Sequence, residues 1–340
     1  MVWEGNCISL QPGVAQELKM ELAIRTEHLT KIYSQRLIAV NDMNLEVPRG
    51  SVFGLLGPNG AGKTTTLRLL LGLQRPTAGH AEVFGKLCGP NAVSVRSQIG
   101  YLPTNPKLPG NLRPIEYLDL LGKLSRLPRQ VRKPRISALL RAVGLLSATE
   151  QRIQTFSTGM CTRLGLAASL VADPPLLLWD EPTAGLDPTA RRFTLDLIRE
   201  LGKTKTVVVA THILSDIDQI CDHLGVMHEG RMIFTGSMQD MKKRLRRDGF
   251  SLELEGDADN IRLLADEVNN LEGIDAYLGA GQTLLVRIAN ERGRSRALAE
   301  VLKLIDASNL SLQAVHSGQN ATENAYLQLL QEDEAHGFQR

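Results

Sequence analysis

Nine residues constrain this chain more than any others. Gly57-Pro58-Asn59-Gly60-Ala61-Gly62-Lys63-Thr64-Thr65 sets two glycines, with four residues between them, directly before a lysine and two threonines. The apolar run Val52-Phe53-Gly54-Leu55-Leu56 precedes it and Thr65-Thr66-Leu67-Arg68-Leu69-Leu70-Leu71 follows it. The pattern therefore predicts a strand, a tight glycine-rich loop and a helix. Such a loop lets successive backbone N–H groups converge on a polyphosphate, with the positive end of the following helix pointing at it. Lys63 would add a point charge for the β- and γ-phosphates, and Thr64 a hydroxyl for Mg²⁺. A glycine-rich turn without a ligand is the bland alternative, and the flanking strand and helix argue against it. The loop is expected to bind a nucleoside triphosphate.

The rest of the chain reads as an α/β core with a helical insert. Ile38 to Val47, Val52 to Leu56 and Ala81 to Phe84 read as strands, and residues 103 to about 151 as proline-punctuated helices, one starting at Pro114 and one covering Ile136 to Val143. Leu176-Leu177-Leu178-Trp179 and Thr206-Val207-Val208-Val209-Ala210 are short continuous apolar runs, which suit strands buried on both faces of a parallel sheet. Past Gly236 the basic run Lys242-Lys243-Arg244-Leu245-Arg246-Arg247 reads as a solvated helix face leading into a linker, with contact to anionic lipid headgroups as its rival. Beyond it come strand 251–255, helix 261–271, strands 274–278 and 283–289, helix 295–307, strand 310–315 and a short helix 322–330. That order predicts a small α+β unit with helices on one face of a sheet.

The expected division is an N-terminal extension over 1–21, an ATPase-type core over 22–235 with a helical subdomain at about 103–160, a basic linker over 236–249, an accessory α+β domain over 250–331 and a tail over 332–340. The extension is expected to be disordered, or to precede a natural start at Met20. With 39 basic and 37 acidic residues among 340, a net charge of +2 gives no reason to expect nucleic acid as a partner. Cys7, Cys88, Cys161 and Cys221 are widely spaced and read as reduced thiols of a cytoplasmic protein rather than a disulfide or zinc framework. No apolar run reaches the roughly 18–20 residues that a membrane-crossing helix needs.

Four more motifs follow in order. Phe156-Ser157-Thr158-Gly159-Met160 opens a helical run; Leu176 to Trp179 ends in Asp180-Glu181; then come Ala184-Gly185-Leu186-Asp187-Pro188 and Ala210-Thr211-His212. An apolar strand ending in two acids delivers the first to a metal beside the phosphates and leaves the second to orient water. With these residues in this order, the chain closely resembles the ATPase subunits of ABC transporters. The likeness is dense over 22–235 and weaker to about 331, where Thr322-Glu323-Asn324-Ala325-Tyr326-Leu327 is similar to the tail of ATPases paired with type-two exporter permeases for drugs, lipids or polysaccharides.

The resemblance implies ATP and Mg²⁺ as ligands, with Tyr33 stacking on adenine, Thr64 and Asp180 at the metal, Glu181 as general base or water-orienting group, and His212 at the γ-phosphate. Ser157, Thr158 and Gly159 would serve the ATP held by a second copy, and Asp187 would bridge the two copies. It implies a homodimer closed by ATP, a separate permease of six-span type, and a peripheral place on the cytoplasmic face of the inner (plasma) membrane. The chain departs from the family after Gly100-Tyr101-Leu102-Pro103, where a glutamine is usual and Thr104-Asn105 stands. Asn105 or a water would then substitute, or coupling and hydrolysis would be slower. Thr158 replaces a signature glycine, and Cys161 a basic or polar residue. A soluble ABC-type ATPase acting on a ribosome, DNA or a scaffold is the alternative; one cassette and no sustained heptads speak against it. No guanine-reading NKxD-like motif points to a GTPase.

Overall fold

The computed structural model describes residues 21–34, 37–245, 249–279, 282–288, 294–308 and 310–316, together with Tyr326, Leu329, Leu330 and Asp333. The expectations for residues 1–20, and for most of the helix over 322–330 and the tail over 332–340, lie outside these. In chain order, β1 (Leu22–Ser34), β2 (Leu37–Pro48) and β3 (Val52–Leu56) lead into α1 (Lys63–Leu70). β4 (Ala78–Val83), β5 (Lys86–Leu87), α2 (Val93–Arg96) and β6 (Ile99–Leu102) precede the helical insert of α3 (Pro114–Leu124) and α4 (Arg129–Ala142). α5 (Thr158–Leu170), β7 (Leu176–Asp180), α6 (Pro188–Gly202), β8 (Thr206–Thr211), α7 (Leu214–Ile220), β9 (His223–His228), β10 (Arg231–Ser237) and α8 (Met238–Leu245) follow. The C-terminal part holds β11 (Gly249–Glu255), α9 (Ala258–Asn269), β12 (Ile274–Leu278), β13 (Thr283–Ile288), α10 (Arg294–Ala307) and β14 (Ser311–His316).

A six-stranded sheet in the order β10-β9-β3-β8-β7-β6 forms the centre. Its strands from β9 to β6 are parallel, and β10 is antiparallel to β9. Every residue of β3, β7 and β8 is buried. Their continuous apolar runs are therefore explained by cover on both faces. One face packs against the antiparallel sheet β2-β1-β4-β5 through Ile24, Val40, Met43, Leu45, Phe53 and Leu55. The other packs against the helical side through Leu118, Leu140, Leu164, Trp179, Ile198 and Ile217. Full burial of such side chains stabilises by about 1.5–3 kcal/mol each. Trp179 donates through Nε1 to Ser169 Oγ at 3.1 Å, so its polar edge is satisfied inside this layer.

The third sheet, β12-β13-β11-β14, is wholly antiparallel. Phe250, Leu252, Ile261, Leu264, Leu284 and Val301 join it to α9 and α10 in a separate apolar cluster.

The structure differs from the sequence reading in three places. α4 starts at Arg129 and carries Pro134 within it, whereas the reading began after that proline; Pro134 forfeits one intrahelical N–H, which a helix packed through Ile136 and Leu140 tolerates. The expected basic linker opens with the end of β10 and with α8 over 236–245, and the helix face read in its basic run is docked rather than wholly solvated. Met238 and Met241, one helical turn apart and 8% and 0% exposed, dock α8 on the central core, a spacing masked by the charged residues around it. Leu329 and Tyr326, assigned from sequence to the accessory domain, pack into the central cluster instead, and Asp333 of the expected tail accepts a hydrogen bond from His228 Nδ1 at 2.8 Å.

Candidate functional site

Strand order brings the site together. The phosphate loop leaves the carboxyl end of β3, Asp180 ends β7, and Thr211 ends β8, which lies between them. Ligands of open α/β sheets bind at such carboxyl ends. The loop glycines are required by close approach: a Cβ on Gly57 would lie 2.3 Å from the Met227 carbonyl oxygen. Gly62, at φ 102°, leaves the Ala39 carbonyl oxygen 2.2 Å from where a Cβ would sit. No L-side chain fits there, and the freed amides stay open to an anion.

Lys63 opens α1 and is 6% exposed. Its Nζ donates to the carbonyls of Gly57 at 2.8 Å and Pro58 at 3.1 Å, and lies 3.5 Å from Glu181 Oε1. Burial lowers its pKa below the ordinary lysine value, opposed by the neighbouring Glu181 and Asp180 carboxylates. Thr64 Oγ1 donates to Asp180 Oδ2 at 2.7 Å across 116 residues of sequence. Asp180 is 1% exposed, and desolvation raises its carboxyl above the usual range, against hydrogen bonds from Thr64 and Thr104. Its Oδ1 is buried without a hydrogen-bond partner. A buried, unsatisfied carboxylate oxygen beside a threonine hydroxyl suits a hard cation that takes oxygen ligands and shares them with phosphate. Among the described residues no group of three or more His, Cys, Asp or Glu could hold a metal by itself, so the set fits Mg²⁺ brought with a nucleotide rather than an all-protein cage.

Glu181 has a left-handed backbone, φ 51°, which turns its side chain out of the β7 register at the strand end. Both carboxylate oxygens are held: Thr211 Oγ1 donates to Oε2 at 3.0 Å, and His212 Nδ1 lies 3.0 Å from each oxygen. The His212 contact needs the proton on Nδ1. Lys63, Thr64, Asp180, Glu181 and His212 thus form one connected cluster.

Other sequence-derived candidates lie apart from it. Ser157 caps α5, its Oγ accepting from the Met160 N–H at 3.2 Å. Ser157 and Thr158 are exposed, and a Cβ on Gly159 would meet only Leu186 Cδ2, at 3.7 Å. Asp187 caps α6, accepting from the N–H groups of Thr189 at 3.0 Å and Ala190 at 2.9 Å, with Pro188 at the first helical position. Tyr33 is 45% exposed, which removes the buried-core reading of this ring. Its hydroxyl donates to Gln74 Oε1 at 2.5 Å and lies 3.4 Å from Thr65 Oγ1, so the ring is fixed beside the loop, with Lys31 Nζ 5.4 Å from its centroid. Thr104 Oγ1 donates to the Asp180 backbone carbonyl at 3.4 Å and also acts on the Asp180 carboxyl, and Asn105 beside it has φ 48°.

Sequence reasoning missed Gln74, Thr211 and the carboxylate of Asp216, which binds Thr183 and Arg191. Thr211 was legible, as the residue coupled to His212 at a strand end; Gln74 and Asp216 carry no local signal.

Comparison with known proteins agrees with this geometry. The family model described as ABC transporter matches residues 40–184. The daunorubicin/doxorubicin resistance ATP-binding protein DrrA of Streptomyces peucetius is 35% identical over 312 residues, covering 90% of this chain and 92% of its own. The bacitracin transport ATP-binding protein BcrA of Bacillus licheniformis is 39% identical over 230 residues, 67% of this chain and 74% of its own. Among solved structures, an ATP-binding subunit of an ABC transporter superposes with a TM-score of 0.61 at 28% identity, covering 66% of this chain and 93% of that one. Residue cluster, sheet order and relatives agree: the chain belongs to the ABC transporter family, as one of its ATP-binding, ATP-hydrolysing subunits.

Proposed function

We propose that this subunit is the motor of an exporter, driving a separate six-span permease by closing and opening a homodimer around ATP. The connected cluster of Lys63, Thr64, Asp180, Glu181 and His212 carries the reading, because it gives one chain everything needed to grip and hydrolyse a triphosphate except a lid. Ser157, Thr158 and Gly159 supply that lid in trans: they start a helix, so their backbone N–H groups and the serine hydroxyl form a second anion site. Two such chains in a closed two-fold pair would bury two nucleotides.

In this reading the loop amides and Lys63 bind the β- and γ-phosphates, and Tyr33 stacks on adenine. Thr64 and Asp180 would hold Mg²⁺, which would supply positive charge against that developing on the phosphate oxygens. Glu181 accepts the proton of the attacking water, held in line by Thr211 and His212. Asp187 lies at the dimer seam, and Thr104 with Asn105 takes the place of the usual metal-reaching glutamine. Once the γ-phosphate leaves, both protein surfaces lose their shared ligand and the pair opens.

The exporter assignment is supported by relatives whose names denote bacitracin transport, daunorubicin/doxorubicin resistance and Nod factor export. None of the described helices is long and apolar enough to cross a membrane, so the translocation path would belong to a partner. Ile115, 45% exposed at the start of α3, offers an apolar contact for that permease on the helical insert. The subunit would then sit peripherally on the cytoplasmic face of the inner membrane, with residues 250–331 as an accessory domain. The decisive experiment loads a Glu181→Gln variant with ATP and Mg²⁺. Turnover should fall on the order of a hundred-fold or more, and the chain should become dimeric by light scattering. A variant that stays monomeric beside its permease would refute the closing dimer, and co-purification with ribosomes in place of a permease would favour the soluble-ATPase alternative.

A further inference from the structure

Asp216 stands behind the catalytic cluster and touches none of its members directly. It sits in the first turn of α7, is 1% exposed, and is held from two other elements. Thr183, 3% exposed and two residues beyond Glu181, donates through Oγ1 to Asp216 Oδ2 at 2.5 Å. Arg191, in the first turns of α6, donates through Nε to Asp216 Oδ1 at 2.8 Å, and its Nη2 lies 2.7 Å from the same oxygen. The same Nη2 donates to Ser215 Oγ at 2.7 Å.

Each partner is rigidly joined to a functional residue. Thr183 shares a tight turn with Glu181, closed by the bond from the Ala184 N–H to the Glu181 carbonyl at 3.3 Å. Arg191 donates its N–H to the Asp187 carbonyl at 2.9 Å, in the turn that Asp187 caps. Ser215 and Asp216 follow His212 by three and four residues, and the Asp216 N–H donates to the Ile213 carbonyl at 3.2 Å. One carboxylate therefore ties the loop of Glu181, the helix of Asp187 and the segment of His212 at a single point.

A buried ion pair is a weak source of stability, since desolvation offsets much of its attraction, and its better-attested use is to select one geometry. We propose that Asp216 is a positioning residue for ATP hydrolysis: with Thr183 and Arg191 it locks Glu181, His212 and Asp187 into one unit. Movement at the seam between two copies, where Asp187 lies, is thereby transmitted to the water-orienting carboxylate. The inference rests on the proposed role of Glu181.

Thr183→Val is the sharpest test, because it keeps size and shape and removes only the donor; Thr183→Ser restores the donor. In the full chain, Thr183→Val should lower kcat ten-fold or more while the Kd for ATP moves less than two-fold, and Thr183→Ser should stay within two-fold of the parent kcat. Asp216→Asn and Arg191→Gln should repeat the kcat loss at unchanged ATP affinity. A purely structural role would show differently: melting temperature would fall, while kcat measured well below each variant's melting point stayed within two-fold of the parent. That result for Thr183→Val overturns the proposal even where Asp216→Asn fails to fold. An inactive Glu181→Gln beside a fully active Thr183→Val would leave the Glu181 assignment standing and remove this one; an active Glu181→Gln would remove both.

Discussion

The phosphate-loop side of the site and the signature side differ in how complete they are within one chain. On the first, Lys63, Thr64, Asp180, Glu181, Thr211 and His212 are joined by contacts of 2.7–3.5 Å, with Asp180 Oδ1 left open. On the second, Ser157 satisfies only its own helix, through Met160, and faces solvent. A helix start such as this offers backbone N–H groups to an anion. Under the proposed function, the contrast means that grip is built into the fold, whereas closure would be left to an encounter.

The largest expected effect separates the two sides directly. Lys63→Ala removes the buried charge from the complete half and should weaken ATP binding by roughly 10–100-fold, the worth of a charge-assisted contact, as read by nucleotide titration of the monomer. Ser157→Ala should leave monomer affinity within about two-fold. It should still cut turnover and ATP-driven dimerisation roughly ten-fold, with about 1 kcal/mol of stability lost from the missing helix cap. Equal losses of monomer affinity in both variants would erase the contrast.

Asp180 gives a second, smaller contrast, in stability and its pH dependence. Burial raises its carboxyl above the ordinary value, so the folded chain holds that proton more tightly than the unfolded one. The resulting contribution is full at acid pH, below the ordinary aspartate value, and is lost as pH rises through the raised value. At neutral pH without metal the group therefore costs stability. Asp180→Asn should melt higher there by roughly 1 kcal/mol, the gain should vanish on acidification, and Mg²⁺-dependent turnover should be lost. A thermal-melt series across pH, without nucleotide or Mg²⁺, checks the sign.

The smallest effect is expected at Thr104. Its short side chain ends at Asp180, with the hydroxyl 3.4 Å from the backbone carbonyl, so Thr104→Gln, which reaches further, should raise Mg²⁺-dependent turnover a few-fold, by about 1 kcal/mol or less. An unchanged rate and Mg²⁺ requirement would show that the departure from the family pattern costs nothing.

Much of the fold was legible locally. β3 runs from Val52 to Leu56 and β12 from Ile274 to Leu278 with the boundaries their apolar patterns suggest, because burial on a sheet leaves its period in the sequence. α3 begins at Pro114, where fixed φ favours a first helical position. The first turn of α4 was hidden by Pro134, since local propensity reads that residue as a break while packing overrides it. The basic run was read as a solvated helix face, but the docking of α8 was hidden, because Met238 and Met241, its buried residues among those described, stand amid polar neighbours. At the site, Lys63, Thr64, Asp180 and Glu181 were visible from residue type and spacing, and His212 through the resemblance to the ABC family. Gln74 under Tyr33 and Asp216 behind Thr183 were not, since their partners lie 41 and 33 residues away and no period or motif encodes such a pairing.

By itself the sequence determined chemistry that depends on neighbours: a loop whose glycines free its amides, a lysine and hydroxyl beside them, and a buried strand ending in two acids. Those are short-range facts, set by φ/ψ freedom and by hydrophobic period. Only the tertiary structure decided that β8 lies between β3 and β7, which brings Thr64 within 2.7 Å of Asp180 and Thr211 within 3.0 Å of Glu181. Strand order is a global outcome of covering both faces of one sheet, and no stretch of the chain contains enough of that sheet to specify it.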